Sequence, residues 1–241
     1  MTLQKKRSKR WNVWIQRILK LFVFLFFLSV IWAIILNWIN PPFTYLMVQR
    51  KIEAMFSGNA CELKYSWKNL DEMSAFVPLS AIAAEDQNFA THNGFDFEAI
   101  KKAYEKNKNG KKLKGASTIS QQVAKNVFLW PGRSWLRKGF EVYFTILIEI
   151  FWPKERIVEV YVNVAEMGPC IFGAEAASQA YFNKSAKKLT RQQASLIAAT
   201  LPNPIRMNAS RPSAYVWKRC RWIERQTWQM GGAEYMKQLS N

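Results

Sequence analysis

The sequence RKGFEVYFTILIEIF, residues 137–151, decides the fold class. Its apolar residues recur at intervals of three and four, which is the spacing of one face of an α-helix: Phe140, Phe144, Leu147 and Phe151. Its polar residues recur in the same way and form a second stripe: Arg137, Lys138, Glu141, Thr145 and Glu149. The two stripes predict an amphipathic helix with one charged face.

The charged face of this helix has two interpretations. It is either a solvated surface with ion pairs worth a few tenths of a kcal/mol each, or a site that contains Glu141 and the cations beside it. A second polar stripe, which follows residues 115–118, leaves the same choice open: Gln121, Gln122, Lys125 and Asn126.

Helical patterns also dominate on both sides of residues 137–151. Ser117 or Thr118 can cap a helix through Val127, and Pro78 can open a helix that ends at Glu85. Further helices are predicted to begin at three places: Pro153, Gly173, and a capping box of Thr190 with Gln193. Because alternating strand patterns are scarce, we expect a mainly α fold, with one domain over residues 40–241.

The beginning of the chain indicates a membrane anchor. Residues 1–20 hold seven basic residues and no acid, and residues 21–36 are uncharged and almost entirely Leu, Ile, Val and Phe. We expect a cytoplasmic basic tail over residues 1–20 and a transmembrane signal anchor over residues 21–39, stopped by Pro41 and Pro42. The basic end should stay in the cytoplasm, which places residues 40–241 in the periplasm of a bacterium.

Two other interpretations of this apolar segment are less favoured. A buried core helix should carry a polar face, and residues 21–36 have none. A cleaved signal peptide needs small residues before the cleavage site, whereas residues 37–40 read Asn-Trp-Ile-Asn. The segment is therefore interpreted as an uncleaved anchor.

Composition limits the kinds of ligand. With 35 Lys and Arg against 17 Asp and Glu, the formal charge is +18, which favours an anionic partner. Nucleic acid is not expected on the periplasmic side, so membrane phosphate is favoured. His92 is the single histidine, and Cys61, Cys170 and Cys220 have no CxxC spacing, so a histidine-pair or CxxC zinc site is excluded. An odd number of cysteines leaves their redox state open.

Glu85 stands in an unusual position for an acid. It follows the apolar run of residues 81–84, at the C-terminal end of a predicted helix. The helix dipole and the apolar neighbours both raise the proton affinity of a carboxylate there, which suits a general base. The alternative is a surface acid that follows a core helix. The lysine-rich segment Lys101–Lys114 is predicted to be a mobile loop or a frayed helix end.

Five segments resemble, in the same order, the motifs of the peptidoglycan glycosyltransferases of glycosyltransferase family 51. They are EDQNFATHNGFD (85–96), GASTISQQVAKN (115–126), RKGFEVYFTILIE (137–149), KERIVEVYVN (154–163) and FGAEAASQAYFNKSAKKLT (172–190). The resemblance implies a lysozyme-like glycosyltransferase domain preceded by one transmembrane helix, in the bacterial inner membrane. Because about fifty residues follow the last motif, no transpeptidase activity is expected.

The resemblance also implies a reaction and its residues. The family polymerises lipid II into glycan strands, forming β-1,4 links with inversion and releasing undecaprenyl pyrophosphate. By resemblance, Glu85 is the general base and Glu141 a second catalytic carboxylate. The implied substrate-binding residues are Asp86, Ser117, Gln121, Gln122, Lys125, Asn126, Arg137 and Lys138. By the same comparison His92 packs or orients its loop, and three residues are mainly structural: Lys154, Glu159 and Asn163.

No metal site or obligatory cofactor is implied, although a divalent cation such as Mg²⁺ or Mn²⁺ could assist at the pyrophosphate. The expected partners are lipid II, the growing glycan strand, the membrane, and other cell-wall synthesis or division proteins. Two other functions stay open. A lysozyme-like glycan-cleaving enzyme, either a hydrolase or a lytic transglycosylase, would share the fold and a catalytic Glu without needing Arg137 and Lys138. A non-enzymatic scaffold would need none of these residues.

Overall fold

The computed structural model describes residues 2–57, 61–108, 117–132 and 134–239. The chain divides into two compact units, Met1–Ile39 and Asn40–Asn241. About 66% of the chain is helical, so the prediction of a mainly α fold is confirmed.

The first unit is built on one helix, α1 (Thr2–Ile35). Its segment Trp14–Ile35 contains an 18-residue window with a mean hydropathy of 2.7 and is long and apolar enough to cross a membrane. The predicted extension of this helix to Ile39 is wrong. The chain tightens after Ile35, where the amides of Asn37 and Trp38 bond to carbonyl oxygens three residues back.

The second unit contains ten further helices among the described residues. They are α2 (Tyr45–Ser57), α3 (Phe76–Glu85), α4 (Phe97–Lys108), α5 (Ile119–Phe128), α6 (Trp135–Phe151), α7 (Lys154–Val164), α8 (Ala174–Phe182), α9 (Arg191–Thr200), α10 (Ala214–Gln229) and α11 (Ala233–Gln238). Short 3₁₀ helices lie at Leu70–Glu72 and Ala186–Lys188. A small sheet has the order β1 (Lys64–Tyr65), β3 (Ile171–Phe172), β2 (Glu166–Gly168), with β3 parallel to β1 and antiparallel to β2.

Two capping residues begin their helices where the sequence predicts, whereas α3 begins at Phe76, two residues before the predicted start at Pro78. Thr118 caps α5 in a capping box with Gln121, and Thr190 caps α9 in the same way with Gln193. The prediction of a mobile loop in the lysine-rich segment is partly corrected, because α4 is a regular helix as far as Lys108. Its remaining residues, 109–114, lie outside the described residues.

Helix α3 lies at the centre of the second unit. It packs against α7, α9, α10 and α11, and its residues Val77–Ala83 are buried. Helix α5 packs against α6 and α7, and Ile157 and Val160 of α7 are fully buried. The core therefore fixes the C-terminal end of α3 near one side of α5.

The structure settles the cysteine pairing that the sequence left open. Cys61, just before β1, forms a disulfide with Cys170, just before β3. Cys220 on α10 is free and buried. The disulfide joins the segment between α2 and β1 to the residue that precedes β3.

Candidate active site

Glu85 is the last residue of α3, and its side chain is only 17% exposed. One carboxylate oxygen accepts a hydrogen bond from Gln122 Nε2 at 3.1 Å, and the other from Arg219 Nη2 at 3.3 Å. Burial raises the pKa of Glu85, while Gln122, Arg219 and Lys125 act against this rise. Glu85 is therefore not a surface acid, and the raised pKa agrees with the sequence-based expectation.

Arg219 is a site residue that the sequence analysis missed. It lies on α10, and its Nη2 also donates to the carbonyl oxygen of Ala84 at 3.1 Å. Its contact with Glu85 spans 134 residues of sequence. Because Arg221 and Arg225 stand on the same helix, no sequence signal singled out Arg219.

Glu141 lies within α6 and is only 4% exposed. Lys138 Nζ donates to one carboxylate oxygen at 2.5 Å, and Arg137 Nη1 lies 3.5 Å from the other. The Arg137 Nε is buried and has no hydrogen-bond partner within the part of the chain that the structure describes. The interpretation of this face as a merely solvated surface is therefore wrong.

Lys125 on α5 links the two carboxylates electrostatically. Burial is the largest influence on its pKa and lowers it, and the charges of Arg137 and Lys138 lower it further. Glu141 and Glu85 both act in the opposite direction. Lys125 thus lies within the field of both acids, and positive charge is crowded around it.

Two cavities lie at opposite ends of α5. The first, of about 320 Å³, is lined near the N-terminal end by Glu85, Asp86, Gln87, Asn88, Ser117 and Trp222, among others. The second, of about 290 Å³, lies near the C-terminal end, where Lys125, Asn126, Trp130 and Arg137 contribute to its lining. The ten residues of α5 span about 15 Å, and Gln122, which bonds to Glu85, lies three residues before Lys125, which lines the second cavity.

Asp86 and Gln121 use their side chains within the protein. The Asp86 carboxylate accepts from the backbone amide of Ile119 at 2.9 Å and from His92 Nε2 at 2.9 Å. Gln121 Oε1 accepts from the backbone amide of Thr118 as part of the α5 capping box. Asp86 therefore fastens the end of α3 to the start of α5, and His92 helps to hold the loop.

The residues interpreted as structural do make structural contacts. Lys154 Nζ lies 2.8 Å from a Glu149 carboxylate oxygen and donates to the carbonyl oxygen of His92. Glu159 accepts from the backbone amide of Leu70 at 3.1 Å. Asn163 exchanges two hydrogen bonds with the backbone of Lys68. Among the described residues, no group of three or more His, Cys, Asp or Glu side chains could hold a metal ion.

Comparison with known proteins identifies the family. A family model described as Transglycosylase matches residues 52–227, which include all five motifs. The chain belongs to the transglycosylase family. The matched region of this transglycosylase excludes α1 and ends before α11.

Curated relatives extend the similarity over most of the transglycosylase chain. A "Biosynthetic peptidoglycan transglycosylase" of Pseudomonas entomophila is 53% identical over 88% of this chain and 89% of its own length. The protein of the same name in Ectopseudomonas mendocina is 53% identical over 93% of each chain. That of Pseudomonas aeruginosa is 47% identical over 93% of this chain and 97% of its own length.

Proposed function

We propose that this transglycosylase polymerises lipid II into the glycan strands of peptidoglycan. The observation that carries the proposal is the pairing of a buried carboxylate with a separate cation cluster. Glu85 lies beside the first cavity, and Lys125, Arg137 and Lys138 gather around Glu141. The names of the relatives support the same activity.

In this proposal the acceptor sugar lies in the first cavity and Glu85 acts as general base. Its raised pKa strengthens it as a base, as long as it is ionised. The carboxylate takes the proton of the acceptor 4-hydroxyl as that oxygen attacks the anomeric carbon of the growing chain. The bond from that carbon to the pyrophosphate oxygen breaks, and its electron pair leaves with the pyrophosphate. Attack opposite the leaving group inverts the centre and gives a β-1,4 link.

The cation cluster would stabilise the leaving pyrophosphate. Fixed positive charges lower the energy of a transition state in which negative charge grows on phosphate oxygens. Arg137 supports this role because its buried Nε has no hydrogen-bond partner in the described part of the chain. Lys125 supports it because a nearby phosphate would favour its charged form, which burial opposes. Glu141 would orient these cations.

No cofactor is obligatory in this mechanism, because the three cations already supply positive charge at the leaving group. An added divalent cation such as Mg²⁺ or Mn²⁺ would bind through phosphate oxygens, since no described cluster of acids or histidines offers a protein site. The remaining expected site residues, Ser117 and Asn126, would contact the sugars or phosphates from the cavities that they line.

We further propose that α1 anchors the enzyme in the bacterial inner membrane, with residues 40–241 in the periplasm. The basic residues before the apolar segment support this orientation, as does the disulfide, since disulfides persist mainly in oxidising compartments.

Trp135 on α6 is 93% exposed, and Leu136 and Ile150 are exposed on the same helix. Such a face suits contact with lipid. Contacts with other cell-wall synthesis or division proteins stay a prediction.

The test is to incubate the full-length protein in detergent with lipid II. We expect glycan polymer from the wild type and none from Glu85→Gln. Glu62→Gln is the matched control, because the Glu62 side chain is 86% exposed. This variant should polymerise lipid II normally. Shortening of preformed strands without polymer would instead support a glycan-cleaving enzyme. Full activity of Glu85→Gln would show that another group is the base.

A further inference from the structure

The loop of residues 86–93, here called the catalytic loop, follows Glu85 directly. Gln87 and Asn88 in this loop line the first cavity. The ends of the loop are held by motif residues: Asp86 binds the amide of Ile119, and the carbonyl oxygen of His92 accepts from Lys154. Phe89 in the middle of the loop is fully buried, but Gln87 and Asn88 beside it are exposed, so their backbone needs further support.

Tyr235 on α11 supplies that support. Its hydroxyl accepts a hydrogen bond from the backbone amide of Ala90 at 3.1 Å and donates a longer one to the carbonyl oxygen of Gln87 at 3.4 Å. Tyr235 is only 7% exposed. Among the described residues, it is the one side chain from another element that bonds to the backbone of residues 87–91.

The chain reaches this position through a tight turn after α10. Gly231 and Gly232 have φ values of +94° and +62°, which glycine adopts without a steric penalty. The amide of Gly232 bonds to the carbonyl oxygen of Thr227 at 2.9 Å, and α11 then packs against α3. This turn and α11 lie beyond residue 227, where the family match ends, and outside all five motifs.

We propose that Tyr235 is a positioning residue that fixes the catalytic loop, and with it Glu85, against the first cavity. The inference rests on the proposed polymerase function for its catalytic consequence. A neutral tyrosine can donate and accept at once, and burial raises the pKa of Tyr235, which keeps its hydroxyl protonated. Without the hydroxyl, Ala90 and Gln87 lose their shared partner. The loop then samples other arrangements, and fewer of them place the base correctly for attack.

The test is Tyr235→Phe in the full-length protein, which removes only the hydroxyl. We expect kcat for lipid II polymerisation to fall about fivefold, with KM changed less than about twofold, because the cation cluster is untouched. Tyr65→Phe is the matched control. Tyr65 lies on β1, and its hydroxyl donates to the carbonyl oxygen of Pro41 at 2.7 Å. This hydrogen bond does not involve the catalytic loop, so kcat should not change.

A second measurement does not depend on activity. We expect the amide hydrogens of residues 86–93 to exchange about tenfold faster in Tyr235→Phe than in the wild type, with unchanged exchange in α9. Unchanged loop exchange and unchanged kcat would overturn the proposal. So would a fall in kcat accompanied by faster exchange throughout the molecule, which would indicate general destabilisation. If the wild type made no polymer, the proposed function would fail, and the loop exchange alone would decide the role of Tyr235.

Discussion

Burial raises the pKa of Glu85 and nearby cations lower it, and the effect of burial is the larger. A general base works only when ionised, so we predict that kcat falls as the pH falls through the raised pKa of Glu85. The acidic limb of the pH–rate profile should therefore lie above the ordinary value of 4.5. Initial rates of polymerisation across a pH series measure this limb. A limb at or below the ordinary value would contradict the assignment of Glu85 as the base.

Arg219 gives a second prediction for the same pKa. Its charge lowers the pKa of Glu85, so Arg219→Gln should raise that pKa and move the acidic limb to higher pH. Arg219→Lys keeps the charge and should move the limb less. Arg221→Gln, on the opposite face of α10, is the control and should leave the limb in place. If Arg219→Gln leaves the limb unchanged, the ion pair does not control the base.

The sequence predicts single residues only where neighbours in the chain decide their environment. The apolar run before Glu85 is enough to foresee its raised pKa. The burial of Glu141 could not be foreseen, because an i,i+4 charge stripe looks the same on a solvated helix and on a buried one. Arg219 could not be foreseen either, because only the packing of α10 on α3 brings it to Glu85.

At the level of elements, the N-terminal caps allow a matched comparison. Thr118→Ala and Thr190→Ala each remove the side-chain acceptor of a capping box, which should lower the free energy of unfolding by about 1 kcal/mol. Thr118→Ala also removes a buried hydrogen bond to Gly94 and should cost about 1 kcal/mol more. Thermal unfolding should show a midpoint about 2–4 °C lower for Thr190→Ala and a larger decrease for Thr118→Ala.

Only one of the two cap variants should affect polymerisation. Helix α5 carries Gln122 and Lys125 between the cavities, and Thr118 also donates to the carbonyl oxygen of Gly94. We therefore expect Thr118→Ala to lower kcat by about tenfold and Thr190→Ala to leave it unchanged. Equal activities in the two variants would show that the start of α5 is not critical for the site.

Caps and periodicity explain which elements the sequence could predict. Thr118, Pro153 and Thr190 precede long apolar repeats, and the helices begin beside them. The strands have only two or three residues each, which is too short for an alternating pattern to be recognised. Helix α11 has six residues and depends on its contact with α3, so its role could not be derived from its own sequence.

For the whole molecule, the disulfide closes a large part of the second unit. Cys61 and Cys170 are separated by 109 residues, so the bond removes much of the freedom of the unfolded chain. Replacing both by Ser should lower the free energy of unfolding by about 2–5 kcal/mol. Thermal unfolding with and without a reductant measures this effect.

Cys220→Ser serves as the control for the disulfide variant. Cys220 has no disulfide partner, so this variant should keep the reductant sensitivity of the wild type, whereas the double variant should lose it. If the reductant does not change the thermal unfolding midpoint of the wild type, the disulfide has no stabilising role. The sequence could not choose among the possible pairs, because only the register of β1 beside β3 brings residues 61 and 170 together.

The position of the free cysteine also affects how the protein is made. In the proposed topology the chain emerges on the oxidising side from its N-terminal end, so Cys61 and Cys170 arrive before Cys220. Cys220 follows Cys170 by fifty residues, which corresponds to roughly 3–10 s of synthesis. During this interval the native pair can close while its competitor is still absent. The order of translation thus favours the correct bond before folding buries the third thiol.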